Sequence, residues 1–317
     1  MRYEILEEIG AGGFSKVYKV KDRNIGTIFV AKEIADDVIA ETEIAWLKAL
    51  AHPGVPKLHD VVRDGHTTMI VMENMEGDTL KDVVKKNGVM DTKRCRKIIS
   101  ELAELLSVLH SQNVPVIHGD LKPENIILLE NDKIALLDLG GASYLGEMPS
   151  VLCGTKGYLA PERKKGEVHV QNDIYSVGRI MQYMLTGCEP SYLSTYKTEE
   201  IAEYFHIEEN VAKVIVCATN PEPEKRFVSI NHLKEALYEN ENMSKKERQK
   251  YTKIWFVLAL LFIFSGFLFA LGNALYEAQL LIVAGNAIAA VGFLVRKAEK
   301  ESAVKILACE YSVHIFR

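Results

Sequence analysis

With 317 residues, the chain is long enough to bury a large core and to hold more than one domain. Its formal net charge of -5, with no long block of lysine and arginine before residue 245, excludes a general nucleic-acid binder. The five cysteines are scattered, odd in number and never paired as Cys-x-x-Cys, which argues against a disulfide framework or zinc site and for a reducing compartment.

Residues 1–240 read as an ordinary soluble sequence, whereas 254–295 contain two long apolar runs. The N-terminus, Met1-Arg2-Tyr3-Glu4, lacks the apolar core of a signal peptide, so the first part of the chain is expected to stay on the side where it is made. Residues 3–34 alternate apolar and polar positions between glycine-rich breaks, a pattern that predicts three antiparallel strands. Between the first two lies Gly10-Ala11-Gly12-Gly13-Phe14-Ser15-Lys16-Val17-Tyr18, whose glycines allow a backbone to approach a phosphate closely. A glycine-rich hairpin turn explains the same residues, so the run alone does not decide.

Lys32 follows in Val30-Ala31-Lys32, on the third strand. A lysine pointing inward there must find an anion or carry a desolvation cost. The helix predicted from about Asp37 to Leu50 places Glu43 on a mostly apolar stripe, where it could supply that anion. Strands are predicted at about Leu58–Arg63 and Thr67–Glu73, and Glu73-Asn74-Met75-Glu76-Gly77 reads as a short linker between two lobes. Leu80–Lys86 and Lys93–His110 read as helices, the second a core helix.

His118-Gly119-Asp120-Leu121-Lys122-Pro123-Glu124-Asn125 comes next, just before the apolar run that begins at Ile126. An aspartate able to take a hydroxyl proton, a lysine able to meet phosphate charge and an asparagine able to hold Mg²⁺ suit phosphoryl transfer. The run Ile134–Leu137 ends in Asp138-Leu139-Gly140, which puts a carboxylate at a strand end where it can share a metal with Asn125.

Taken together, residues 1–240 resemble the eukaryotic-like (Hanks-type) serine/threonine protein kinases, of the membrane-anchored bacterial kind. Gly10-x-Gly12, with Gly13, is similar to the phosphate-covering loop, and Lys32 with Glu43 to the family's ion pair. Asp120 resembles the catalytic aspartate, Lys122 the lysine of serine/threonine kinases, and Asn125 and Asp138 the metal ligands. Gly154-Thr155-x-Gly157-Tyr158-Leu159-Ala160-Pro161-Glu162 resembles the substrate platform. Asp173-x-x-Ser176-x-Gly178 resembles the anchoring motif of the central helix, and Arg226 stands where an arginine pairs with the platform glutamate.

The resemblance implies an α+β, bilobal kinase fold: a small antiparallel sheet with one helix, then a mainly helical lobe. It implies ATP and Mg²⁺ as cofactors and proteins as substrates. ATP would lie with its adenine against Glu73 to Met75, among Val17, Met72 as gatekeeper, and Ile127. Lys122 would meet the transferred phosphoryl group, and Asp120 would accept the hydroxyl proton.

Ser15 replaces the third loop glycine, Val30 an alanine, and Leu139 a phenylalanine; these changes keep the local chemistry. Gly119 stands where the family usually has an arginine that receives a phosphorylated activation loop, which glycine cannot do. The segment from Gly141 to Leu159 has few hydroxyl candidates for modification: Ser143, Tyr144, Ser150 and Thr155. Activity is therefore expected not to depend on loop phosphorylation through residue 119. His-Gly-Asp also resembles aminoglycoside and choline phosphotransferases, but these usually lack the platform. A pseudokinase is opposed by the intact Lys32, Asp120, Asn125 and Asp138.

Residues 241–253 form a basic juxtamembrane linker with Lys245, Lys246, Arg248, Lys250 and Lys253. Ile254–Leu271 carries no charge and Leu275–Val295 little, so 254–295 is expected to form a transmembrane helical hairpin in the lipid bilayer. Basic residues at both outer ends lead to the expectation that the kinase domain and the 296–317 tail are cytoplasmic, a single span with an external C-terminus being the alternative. Gly266-x-x-x-Ala270 and Gly285-x-x-x-Ala289 allow close helix packing, within the hairpin or in self-association.

Overall fold

The computed structural model describes residues 2–11, 15–65, 67–147, 154–193 and 197–238. All of them belong to one unit, Met1–Asn240. Gly12, Gly13, Ser150, the basic linker, both expected spans and the 296–317 tail lie outside the described residues.

The N-terminal lobe is a five-stranded antiparallel sheet. Its strands are β1 (Tyr3–Ala11), β2 (Ser15–Asp22), β3 (Ile28–Ile34), β4 (Leu58–Asp64) and β5 (Thr67–Glu73), in the order β1-β2-β3-β5-β4. Burial is deepest on β3 and β5, whereas β1 is largely exposed apart from Tyr3 at its start. On β3 the register sets Val30 beside Met72 and Lys32 between Val17 and Ile70. Helix α1 (Asp37–Ala49) packs on the sheet. Its start is fixed by Asp36, whose side chain accepts a hydrogen bond from Ile39 N, and Leu50 leaves it in an extended conformation. Its apolar stripe buries Ile39, Ile44, Trp46 and Leu47, and carries Glu43 in with them.

Beyond the linker, β6 (Asp78–Thr79) leads directly into α2 (Leu80–Asn87), capped by the Thr79 hydroxyl. Helix α3 (Thr92–His110), capped by Asp91, buries Cys95, Ile98, Ile99, Leu102, Leu105, Leu106 and Leu109. These residues recur at the spacing of one helix face. Strands β7 (Val116–Ile117), β8 (Ile126–Leu128), β9 (Ile134–Leu136) and β10 (Ser143–Tyr144) form two small sheets: β6-β8-β9, and β10 paired with β7.

Helix α4 (Val170–Thr186) is buried over almost its whole circumference. The remaining helices are α5 (Thr198–Tyr204), α6 (Glu209–Ala218) and α7 (Ile230–Ala236). Gly178 lets α4 approach α6: a Cβ there would stand 2.8 Å from both Ala218 Cβ and Thr219 Cγ2. A continuous apolar core runs from Ile34 to Leu237 through α3 and α4. Each fully buried aliphatic side chain contributes roughly 1.5–3 kcal/mol, so this helical core is the rigid base that holds the loops above it.

The α+β, two-lobed architecture expected from the sequence is the one observed. Among the described residues, no helix is long and apolar enough to cross a membrane.

Candidate active site

The loop after β7 is suspended from α4 by one carboxylate. Asp173 is fully buried and accepts hydrogen bonds from His118 N (2.9 Å) and Gly119 N (3.0 Å), with His110 Nε2 at 2.9 Å. Burial alone would push this carboxyl up. The hydrogen bond from His110, the charges of His110 and His118 and the Gly119 N–H outweigh burial and hold it below the ordinary range. Gly119 adopts φ +78°, a conformation that glycine tolerates best.

Asp120 follows at the mouth of the site. Lys122 Nζ donates to its Oδ2 (2.9 Å), and the Thr155 hydroxyl donates to its Oδ1 (2.9 Å). Lys122 also reaches Thr155 Oγ1 at 3.1 Å, closing a triangle of carboxylate, ammonium and hydroxyl. The turn at Pro123–Asn125 then brings Asn125 back, so that its Nδ2 donates to Asp120 O (2.9 Å). This fixes the amide group and leaves its oxygen as the end suited to a cation.

Across the cleft, Lys32 Nζ donates to Glu43 Oε2 (2.7 Å) and to Asp138 Oδ1 (2.6 Å). One ammonium thus serves two carboxylates. Burial acts on Lys32 to lower its pKa, but the two carboxylates prevail and raise it. Burial dominates for Glu43, joined by the charge of Asp138, and pushes this carboxyl up to about 7 against the pull of Lys32. Asp138, whose side chain is 36% open, is instead held low. Burial raises it, but Lys32 and the Gly140 N–H outweigh that. Asp138 itself sits at φ +59°, strained for a non-glycine residue. Gly140 leaves the room this cluster needs, since a Cβ there would lie 3.2 Å from Asp138 Oδ1 and 3.3 Å from Glu43 Oε2.

The residues expected around adenine lie on β1, β2, β5, the linker and β8. Val17 and Gly10 face one another across β1 and β2. Met72 and Ile127 are buried, Met75 is partly buried, and Glu73 is exposed. Glu73 N donates to Lys57 O (2.9 Å), which fixes the start of the linker. Gly77 passes so close to β8 that a Cβ would stand 2.2 Å from Leu128 O.

Below the cleft, the platform segment is tied down by a buried ion pair. Arg226 Nη1 and Nη2 donate to Glu162 Oε1 and Oε2 at 2.6 and 2.8 Å. Arg226 also donates to three backbone carbonyls, those of Asn220, Gln171 and Pro221. Burial would raise the Glu162 carboxyl, but its hydrogen bond with Arg226, a backbone hydrogen bond and Asn172 hold it below the usual range. Ser176 Oγ donates to Tyr158 O (2.9 Å), fastening the platform to α4.

The donor set fits a divalent cation bound together with phosphates. Among the described residues, no group of three or more His, Cys, Asp or Glu forms a metal cage. Asn125 and Asp138 would supply two oxygen ligands, which would suit Mg²⁺, an ion that keeps waters and substrate phosphates in its shell. Such an ion, when bound, would neutralise charge developing on the transferred phosphoryl group.

Three contacts were not foreseen from sequence: Lys32 bridging to Asp138, Thr155 donating to Asp120, and the fully buried Arg163 behind Gly119. Only Thr155 carried a local signal, its place two residues after Cys153 at the start of the platform motif. The others join segments remote in sequence.

A carboxylate, an ammonium and a hydroxyl joined in one triangle, with the Lys32–Glu43–Asp138 cluster on the N-terminal lobe's side, are an arrangement suited to phosphoryl transfer. Residues 3–254 match the protein kinase domain family, and the chain belongs to that family. It is 34% identical over 210 residues to the serine/threonine-protein kinase cds1 of Schizosaccharomyces pombe, covering 59% of this chain and 45% of that protein. It is 32% identical over 203 residues to the probable serine/threonine-protein kinase PknB of Lactococcus lactis, covering 60% of this chain and 32% of that one. With the serine/threonine-protein kinase D of Synechocystis it shares 30% identity over 267 residues, 75% of this chain and 52% of the relative. The matched region therefore spans a third to a half of these relatives' length.

Proposed function

We propose that this chain transfers the γ-phosphoryl group of ATP to serine and threonine hydroxyls of proteins. The observation that carries this reading is the Asp120–Lys122–Thr155 triangle above a platform fastened by Glu162 and Arg226. The Thr155 hydroxyl already donates to Asp120 Oδ1 as an acceptor hydroxyl would, and Lys122 stands where charge on a phosphoryl oxygen would develop.

In this mechanism Lys32, held by Glu43, orients the α- and β-phosphates, and Asp120 aligns the attacking hydroxyl and takes its proton. Lys122 stabilises the transferred group. Asn125 and Asp138 would hold Mg²⁺, while Gly10, Gly12, Gly13, Val17, Met72, Glu73, Met75 and Ile127 would enclose the nucleotide.

We place residues 254–295 in the membrane as a two-span hairpin, with the kinase domain and the C-terminal tail both cytoplasmic. The basic residues at the outer ends of the two runs support this reading. Protease accessibility of a C-terminal tag in sealed vesicles tests it, since cleavage from the external side would overturn it.

The activity is tested with full-length protein, labelled ATP and Mg²⁺ on a panel of protein substrates, followed by phosphoamino-acid analysis. Label on serine or threonine, lost in Asp120→Asn, is the expected result. Label found on small amines or sugars but on no protein would refute it.

A further inference from the structure

The structure brings together three parts of the chain that the sequence separates: Gly119 in the catalytic loop, Gly141–Ser143 after the metal-site aspartate, and Arg163 at the end of the platform. Arg163 is fully buried. Its Nη2 donates to Gly141 O at 3.3 Å and to Ser143 Oγ at 3.2 Å. A Cβ on residue 119 would stand 2.7 Å from Gly141 O and 3.0 Å from that same Nη2. The missing side chain at position 119 is therefore what makes room for the guanidinium.

We infer that Arg163 is a positioning residue that pins the start of the activation segment to the catalytic loop, so that the segment needs no phosphate to be held. This inference rests on the kinase reading above. Ser143 belongs to β10, which pairs with β7, and β7 runs straight into His118 and Gly119. Asp138 lies five residues before Ser143 on the same stretch. A tether at Gly141 and Ser143 therefore limits where Asp138 can place its carboxylate relative to Asp120. Arg163 remains charged at all accessible pH values. Both acceptors named here are neutral, so the tether forms without any added group. Ser143 is itself buried and committed to Arg163, which removes it from the hydroxyls open to modification.

The test uses full-length wild-type protein together with Arg163→Met, Arg163→Lys, Ser143→Ala and Gly119→Ala. Each is treated with phosphatase and checked by mass spectrometry before assay. Three readouts are taken: kcat and KM for ATP, amide hydrogen exchange, and thermal stability.

The phosphatase-treated wild type is expected to keep its kcat within about twofold. Arg163→Met should lose about tenfold in kcat with KM for ATP little changed, because the tether acts on alignment more than on nucleotide binding. Amides of 139–147 should exchange about tenfold faster while those of α4 stay protected. Arg163→Lys should recover part of the loss, and Ser143→Ala, which removes one acceptor, should fall between. Gly119→Ala should reproduce the exchange defect by displacing Arg163.

Loss of wild-type activity on phosphatase treatment overturns the inference. So does an Arg163→Met protein with full kcat and unchanged exchange, or one in which α4 loosens equally. If Arg163→Met does not fold, Ser143→Ala and Arg163→Lys decide by the same readouts. An inactive wild type on every substrate would count against the kinase reading, whereas the exchange pattern tests the tether without needing activity.

Discussion

Replacing Glu43 by glutamine should stabilise the free protein at alkaline pH while abolishing most of its activity. Glu43 is 1% exposed and shares Lys32 with Asp138. Burial, with the Asp138 charge, moves its carboxyl from the ordinary 4.5 up to about 7. The folded state thus binds this proton more tightly than the unfolded chain. The resulting penalty is absent below about pH 4.5, grows as pH rises through the window to about 7, and is complete above it. Over that range, at about 1.4 kcal/mol per pH unit, it amounts to about 3 kcal/mol. Glutamine has no charge to bury, and its amide oxygen can still accept from Lys32, which keeps Asp138 as its ionic partner. The net gain at pH 8 should be roughly 1–3 kcal/mol, or several degrees in Tm for a domain of this size. The activity should fall by about 10²-fold, because the neutral amide holds Lys32 toward α1 more weakly than the carboxylate does and leaves it drawn to Asp138, poorly placed for the phosphates. Thermal melts of both proteins from pH 5 to pH 8.5 provide the assay. The difference in Tm should open as pH rises and level off above about 7. A Glu43→Gln protein less stable than wild type at pH 8, or a difference independent of pH, would refute the reasoning.

Three further outcomes follow from the geometry. Asp120→Asn keeps the hydrogen bond to Thr155 but removes the proton acceptor, so kcat should drop by about 10²–10⁴-fold with KM for ATP little altered, as steady-state kinetics would show. Gly77→Ala places a Cβ 2.2 Å from Leu128 O, which forces the linker off β8; calorimetry should find weaker ATP binding, and unchanged affinity would contradict the close approach. Arg226→Met strands the buried Glu162 carboxylate, a defect worth about 3–5 kcal/mol, and should lower Tm by about 10 °C or more. Glu162→Gln combined with Arg226→Met should cost much less than the two single changes added together.

Much of this site was legible in the sequence because its chemistry is concentrated in short runs. Asp120, Lys122 and Asn125 fall within six positions and are brought together by one turn, so spacing alone suggested their meeting. The strands of the N-terminal sheet and helices α1 to α3 were legible for a different reason. Their periodicities are clean, and their caps at Asp36, Thr79 and Asp91 are local. The Lys32–Glu43 pair could be argued from an inward lysine that needs an anion. That the same lysine also holds Asp138 could not, since the two are 106 positions apart and nothing local signals the contact. Arg163 shows the limit most clearly. Its neighbours Lys164 and Lys165 are ordinary surface residues, and no pattern marks the arginine as the one that is buried. From sequence, Gly119 marks only the absence of an arginine that could receive a phosphorylated loop; the structure shows the space it leaves occupied by Arg163.

The ion pair beneath the platform also sets an order of events during synthesis. Glu162 and Arg226 are 64 positions apart, and the buried carboxylate's other side-chain hydrogen-bond donor, Asn172, carries no charge. A nascent chain that has released the catalytic loop, the platform and even α4 still carries an unbalanced charge where the platform must close. The platform therefore gains its ionic partner only once residue 226 has been made, and a chain ending before it is expected to keep the catalytic groups while leaving Glu162 without its guanidinium.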